Sequence, residues 1–141
     1  DTSGFVEVAK VERLLTLTDL VMLSIKHPDP DRHLELTGHS PGRTQAFASY
    51  LTEIGKPTWI RYVIIPGVTD NLTDLGELSK MVSRMPNVAR VELLPYNNLG
   101  LYKWSELGLG YRFSGIQPPT PEHMADLRKQ MLDMLPRVPV L

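Results

Sequence analysis

A chain of 141 residues, 42% hydrophobic and 22% charged, has the size and balance of about one globular domain. Its net charge of −1 leaves no general basic field for nucleic acid or an anionic membrane surface, and no apolar run is long enough to span a bilayer. With no cysteine, disulfides, thiol nucleophiles and thiolate-held zinc or iron–sulfur centres are excluded within these residues.

The chain opens on a polar turn, Asp1-Thr2-Ser3-Gly4. Val8, Val11, Leu14, Leu15 and Leu17 then recur close to helical spacing and predict a helix over 7–17. The run from Asp19 to Lys26 reads as a short strand. Residues 27–42 are rich in Pro, Asp, His and Gly and read as a long loop with one helical turn around Asp31–Leu36. His27, His33 and His39 lie in this loop, and their spacing matches no metal-ligand pattern.

A helix is predicted over Arg43–Ile54, with Ala46, Phe47, Tyr50, Leu51 and Ile54 on one face and Gly55 as its C-cap. Trp59–Ile65 is apolar, β-branched and closed by Pro66-Gly67, and it reads as a strand buried on both faces. Arg61 contradicts that setting. An unpaired charge is costly to bury, so Arg61 must meet an anion, a ligand or water.

Thr69-Asp70-Asn71 offers N-cap chemistry for a helix over 72–84. Ala89–Leu94 reads as a third strand, and 97–119 as a long irregular segment carrying Tyr102, Trp104, Tyr111 and Phe113. These aromatics suit either a peptide groove or a pin holding the segment to the body. Thr120 and Pro121 start a last helix to about Leu135, and Val138–Leu141 reads as a short extended tail.

Buried strands alternating with amphipathic helices predict an α/β fold of parallel βαβ units, as an open sheet or a piece of a barrel. In such folds ligands gather at the C-terminal ends of strands. That rule selects Ser24 and Lys26, Arg61 further back on its strand, Asn97, and the Asp1-Thr2 pair if it ends a preceding strand. Carboxylate, cations, hydroxyls and amide together suit a zwitterion such as an amino acid or its conjugate. A solvated strand end, a turn-forming Asn and a structural ion pair are the plain alternatives.

The segments Asp1–Gly4, Leu20–Lys26, Trp59–Gly67 and Glu92–Asn97, then Gly100, Lys103-Trp104, Gly108 and Gly115–Pro119, occur in the order and spacing of the pyruvate formate-lyase activating enzymes. The chain resembles this family over nearly its whole length. The resemblance implies half of a partial (β/α)6 TIM-like barrel. It implies a radical S-adenosylmethionine oxidoreductase of the cytoplasm. Such enzymes cleave S-adenosylmethionine at a [4Fe–4S] cluster, and the 5′-deoxyadenosyl radical abstracts hydrogen from a glycine of pyruvate formate-lyase.

By the same resemblance, Asp1 and Thr2 lie beside the methionyl group of S-adenosylmethionine. With the backbone of Met22 they resemble ligands of a monovalent cation. Lys26 resembles the lysine on the methionine carboxylate. Arg61 resembles the strand arginine near the cofactor and the incoming glycine, and Asn97 stands where a His near the adenosine is common. Ser24 stands where well-known members have a cation-binding Asp, and a neutral hydroxyl weakens such a site.

The family's CxxxCxxC motif is absent from these residues. The chain is therefore expected to be the C-terminal half of a longer enzyme, to bind neither cluster nor cofactor stably alone, and to be inactive alone. An uncovered half-barrel is also expected to self-associate. The alternatives are an activator of a different glycyl radical enzyme and a non-catalytic α/β binding module.

Overall fold

The computed structural model describes all 141 residues. After a turn of 3-10 helix at Val8–Lys10, the chain runs α1 (Glu12–Thr16), β1 (Val21–Ile25), α2 (Pro30–Thr37) and α3 (Gly42–Glu53). It continues through β2 (Thr58–Ile64), α4 (Leu72–Ser83), β3 (Val88–Pro95), α5 (Leu101–Glu106) and α6 (Pro121–Met134). The three strands form a parallel sheet in the order β1-β2-β3.

Each sheet edge carries one further backbone pairing. Thr2 bridges Leu23 in parallel, so the first residues join the sheet beside β1. Val140 bridges Val91 in parallel on the far edge, and the C-terminal tail is extended as its composition suggests.

β1 and β2 alternate strictly in burial, and this corrects the expectation that β2 is buried on both faces. Thr58, Ile60, Tyr62 and Ile64 are sealed, whereas Trp59, Arg61 and Val63 are only half-covered. One row of the sealed face runs Leu23–Ile60–Val91 across the register, and the next runs Ile25–Tyr62–Leu93. These rows pack on Phe47, Ala48 and Leu51 of α3, Leu75, Leu78 and Val82 of α4, and Met124, Leu127 and Met131 of α6. A residue on the other face of β2 needs no apolar partner, so a charge fits there.

Local chemistry sets the helix ends. The Asp29, Asn71 and Thr120 side chains cap α2, α4 and α6 by accepting N–H groups three residues on, at 2.9, 2.9 and 3.2 Å. Gly38 closes α2 in the left-handed conformation with φ 74°. The loop expected to hold one helical turn is therefore a capped helix.

Three further expectations need correction. The segment over 7–17 is two short turns, and only Leu15 of its apolar residues is buried. The buried face of α3 is Thr44, Phe47, Ala48 and Leu51, with Ala46 and Ile54 exposed. The irregular segment after β3 contains α5.

Candidate functional site

The open face of the sheet carries a polar row above a mixed one. In the upper row Ser24, Arg61 and Glu92 stand side by side on β1, β2 and β3. In the lower row Met22, Trp59 and Arg90 do the same.

Arg61 is the hub. Its Nη1 pairs with the Asp1 carboxylate, and its Nε donates to Glu92 Oε2 at 3.2 Å. Glu92 Oε1 lies 3.5 Å from Arg90 Nη1, and the Arg90 guanidinium sits over the Trp59 ring at 4.0 Å. The charges therefore alternate, Asp1–Arg61–Glu92–Arg90, so Arg61 is compensated on both sides. Its side chain remains 25% exposed, and that of Asp1 48%, so both are within reach of a ligand.

Asp1 reaches Arg61 because the first residues extend the sheet. Thr2 N–H donates to the Met22 carbonyl at 2.9 Å, and Ser24 N–H donates to the Thr2 carbonyl at 2.8 Å. Thr2 Oγ1 accepts the Gly4 N–H at 3.0 Å, and Thr44 Oγ1 donates to the Ser3 carbonyl at 2.9 Å. The turn is thereby tied to α3.

Lys26 follows the end of β1 and is exposed. Desolvation at the sheet face, and then the nearby Arg61 guanidinium, hold its ammonium below the usual lysine value. Lys26 thus belongs to the same electrostatic neighbourhood as Arg61. Asn97 sits two residues past β3, exposed, and its Oδ1 accepts the Leu99 N–H at 3.3 Å. The structure joins Asp1 to Arg61 and Thr2 to Met22 along one side of the sheet, sets Lys26 just past the end of β1, and gives Asn97 a turn-forming bond.

The three loop histidines go to three places. His27 reaches Asp74, His33 is buried in α2, and His39 stacks on Phe5 with ring centroids 4.9 Å apart. Of the aromatics after β3, Trp104, Tyr111 and Phe113 form a chain of ring contacts that ends on buried Tyr96. They pin the segment to the body, while Tyr102 faces solvent. The groove of about 440 Å³ between α3 and α4 lies on the helix side and contains none of these site residues.

Two partners escaped the sequence reading. Glu92 is one, although the alternation Arg90-Val91-Glu92-Leu93 marks a strand with one polar face. Asp74 is the other, and it lies inside a helix whose apolar spacing drew the attention.

No protein-family model matches the chain. The fold is that of a domain of pyruvate-formate lyase-activating enzyme from Bacteroides vulgatus, at TM-score 0.74 and 15% identity, covering 96% of this chain and 73% of that one. It also matches a radical SAM methyltransferase from Sphaerobacter thermophilus at TM-score 0.68 and 21% identity, covering 99% of this chain and 38% of that one. The parallel βαβ units thus have the fold of part of a TIM-like barrel.

The pyruvate formate-lyase-activating enzyme of Streptococcus mutans is 48% identical over 122 residues, covering 86% of this chain and 46% of the relative. Over the region it covers, the chain belongs with the pyruvate formate-lyase-activating enzymes. It spans about half the length of the curated relatives it matches, from 42% to 51%.

Proposed function

We propose that this chain is the C-terminal half of a radical S-adenosylmethionine enzyme that activates pyruvate formate-lyase in the cytoplasm. It supplies part of the cofactor site and the loops that face the lyase. The observation that carries this reading is the Asp1–Arg61 ion pair on the open face of a parallel sheet, with Lys26 just past the C-terminal end of the neighbouring strand.

The residues present fit the amino-acid end of S-adenosylmethionine. A zwitterion needs an ammonium for its carboxylate and an anion for its positive groups. Lys26 and Asp1 provide these, on the side of the sheet that no helix covers. S-Adenosylmethionine, when bound, supplies the abstracting radical. Arg61 is held by Glu92 through Nε and by Asp1 through Nη1, which leaves Nη2 for a ligand. The Asp1 carboxylate, the Thr2 hydroxyl and the Met22 carbonyl are the oxygens that would face a monovalent cation. Asn97 offers an amide to the adenosine.

The residues present do not fit a [4Fe–4S] cluster. There is no cysteine, and no group of three or more His, Asp and Glu side chains could hold a metal ion. The cluster therefore falls to a segment outside these residues in this reading. The exposed side chains Leu99, Tyr102, Trp104, Leu107 and Leu109 form the surface offered to the lyase.

Arg61→Lys in the cluster-loaded parent tests the reading. Glycyl radical yield, counted by electron paramagnetic resonance, should fall about tenfold or more, as expected when a bidentate guanidinium is lost. An unchanged yield would return Arg61 to a structural ion pair. Activation of a different glycyl radical enzyme in place of pyruvate formate-lyase would reassign the partner. The isolated chain should develop no stable iron–sulfur chromophore on anaerobic reconstitution, and a brown product would overturn the division of labour.

A further inference from the structure

The His27 imidazole is 2% exposed and belongs to no feature of the proposed reaction. Its Nδ1 accepts the Asp29 N–H at 3.0 Å. That bond fixes the tautomer, because a nitrogen that accepts carries no proton. Nε2 therefore bears the hydrogen and donates to Asp74 Oδ2 at 3.1 Å. Asp74 is itself buried at 6% exposure. The Asn71 side-chain amide also donates to Oδ2, and the Asp74 N–H donates back to Asn71 Oδ1 at 2.9 Å. Both ring nitrogens are satisfied, and the acceptor is locked into the first turn of α4.

The consequence falls on the neighbouring residue. Ile25 and His27 lie on the helix side of the sheet end, at 3% and 2% exposure, with exposed Lys26 between them. β1 ends at Ile25 and the chain bends at Lys26, yet the burial still alternates across the bend, with Ile25 and His27 sealed and Lys26 turned outward. With His27 anchored to α4, Lys26 must leave on the open face, where Arg61 lies. The depressed lysine titration, caused by burial and then Arg61, agrees with that direction.

We propose that the His27–Asp74 hydrogen bond is a positioning device that aims Lys26 across the open face of the sheet. Its use for binding a methionine carboxylate rests on the function proposed above; the aiming itself does not. His27 is a positioning residue, since it acts through the backbone of Lys26.

The test reads Lys26 directly in the 141-residue chain, from the pH dependence of its side-chain carbon resonance. His27→Phe keeps the ring volume and removes both hydrogen bonds. Its Lys26 midpoint should rise toward the ordinary 10.5. Asp74→Asn, which keeps an oxygen for the imidazole, should leave the native midpoint in place. In the cluster-loaded parent, His27→Phe should weaken S-adenosylmethionine binding about tenfold, and Asp74→Asn should not.

A folded His27→Phe chain with the native Lys26 midpoint would overturn the proposal. Where His27→Phe does not fold, Asp74→Ala withdraws the acceptor without added bulk, and a native midpoint there overturns it equally. A midpoint that moves as expected while the parent shows no cofactor binding would sustain the aiming role and overturn the cofactor reading instead.

Discussion

At the scale of single residues, the candidate site depends on one glycine. Gly4 is buried, has φ 68°, and turns the chain from Thr2 beside β1 toward α3. A Cβ there would meet Leu23 Cδ1 at 2.8 Å and Phe47 Cδ1 at 3.1 Å, both in the sealed core. Gly38 has nearly the same backbone, φ 74°, with nothing within 4 Å of its Cβ position. The pair separates backbone cost from packing cost. Gly38→Ala should lose about 1–2 kcal/mol, the left-handed penalty alone. Gly4→Ala should lose roughly 2–4 kcal/mol, because overpacking adds to that penalty. It should also displace Thr2 from Met22 and Ser24, and with it Asp1 from Arg61. Urea unfolding of the two variants is the measurement, and equal losses would show that the core gives way freely around Gly4.

Among the elements, α2 shows best what the sequence conceals. Its composition is that of a loop, yet Asp29 and Gly38 cap it and His33 fixes it to the body at 5% exposure. The Nδ1 of His33 is buried without a hydrogen-bond partner. Burial pushes the titration of His33 below the usual histidine range; a hydrogen bond to the His27 backbone opposes that fall, and the nearby His27 ring and Lys26 ammonium add to it. The sign follows from proton counts. Below the ordinary 6.5 the unfolded chain binds the proton before the folded chain does, so acid favours unfolding. That loss grows as pH falls from the unfolded value to the lowered folded one, and then levels off. Between about pH 7.5 and 5.5 the urea midpoint should fall further in the native chain than in His33→Met. Parallel falls would place the acid sensitivity elsewhere. The parts that were legible are those set by local pattern: the order of strands, the caps at Asn71 and Thr120, and the need of Arg61 for an anion, met by Asp1 and Glu92. The rest depends on register and on which face meets helices. Glu92 becomes the partner of Arg61 only because Thr58–Ile64 and Val88–Pro95 align in one particular way. The buried side of α3 moved from Ala46 and Ile54 to Thr44 and Ala48 for the same kind of reason. Several faces of a short helix can be apolar, and tertiary contact chooses among them.

For the molecule as a whole, the decisive property is that α3, α4 and α6 all pack on one face of the sheet. The other side leaves Met22, Trp59, Val63 and Leu94 half-covered around the Arg61 charges. The outer edge of β1 is paired through Thr2 and little else. Leu14 and Leu17 beside it are 62% and 78% exposed. Apolar side chains interspersed with a balanced ionic row suit a second similar surface, because the charges can re-pair across it while the apolar groups leave water. The chain should therefore self-associate, and sedimentation velocity should show a weight-average mass that rises with concentration from the 15.9 kDa of one copy. Val63→Lys and Met22→Lys add charge to a face that the folded monomer already leaves half open. Both should reduce association by about tenfold or more while changing the unfolding midpoint little, since substitutions away from a sealed core stay within roughly 0.5 kcal/mol. A single 15.9 kDa species at every concentration would remove the prediction. An association that survives both substitutions would move the contact from the sheet face to the exposed leucines of α1.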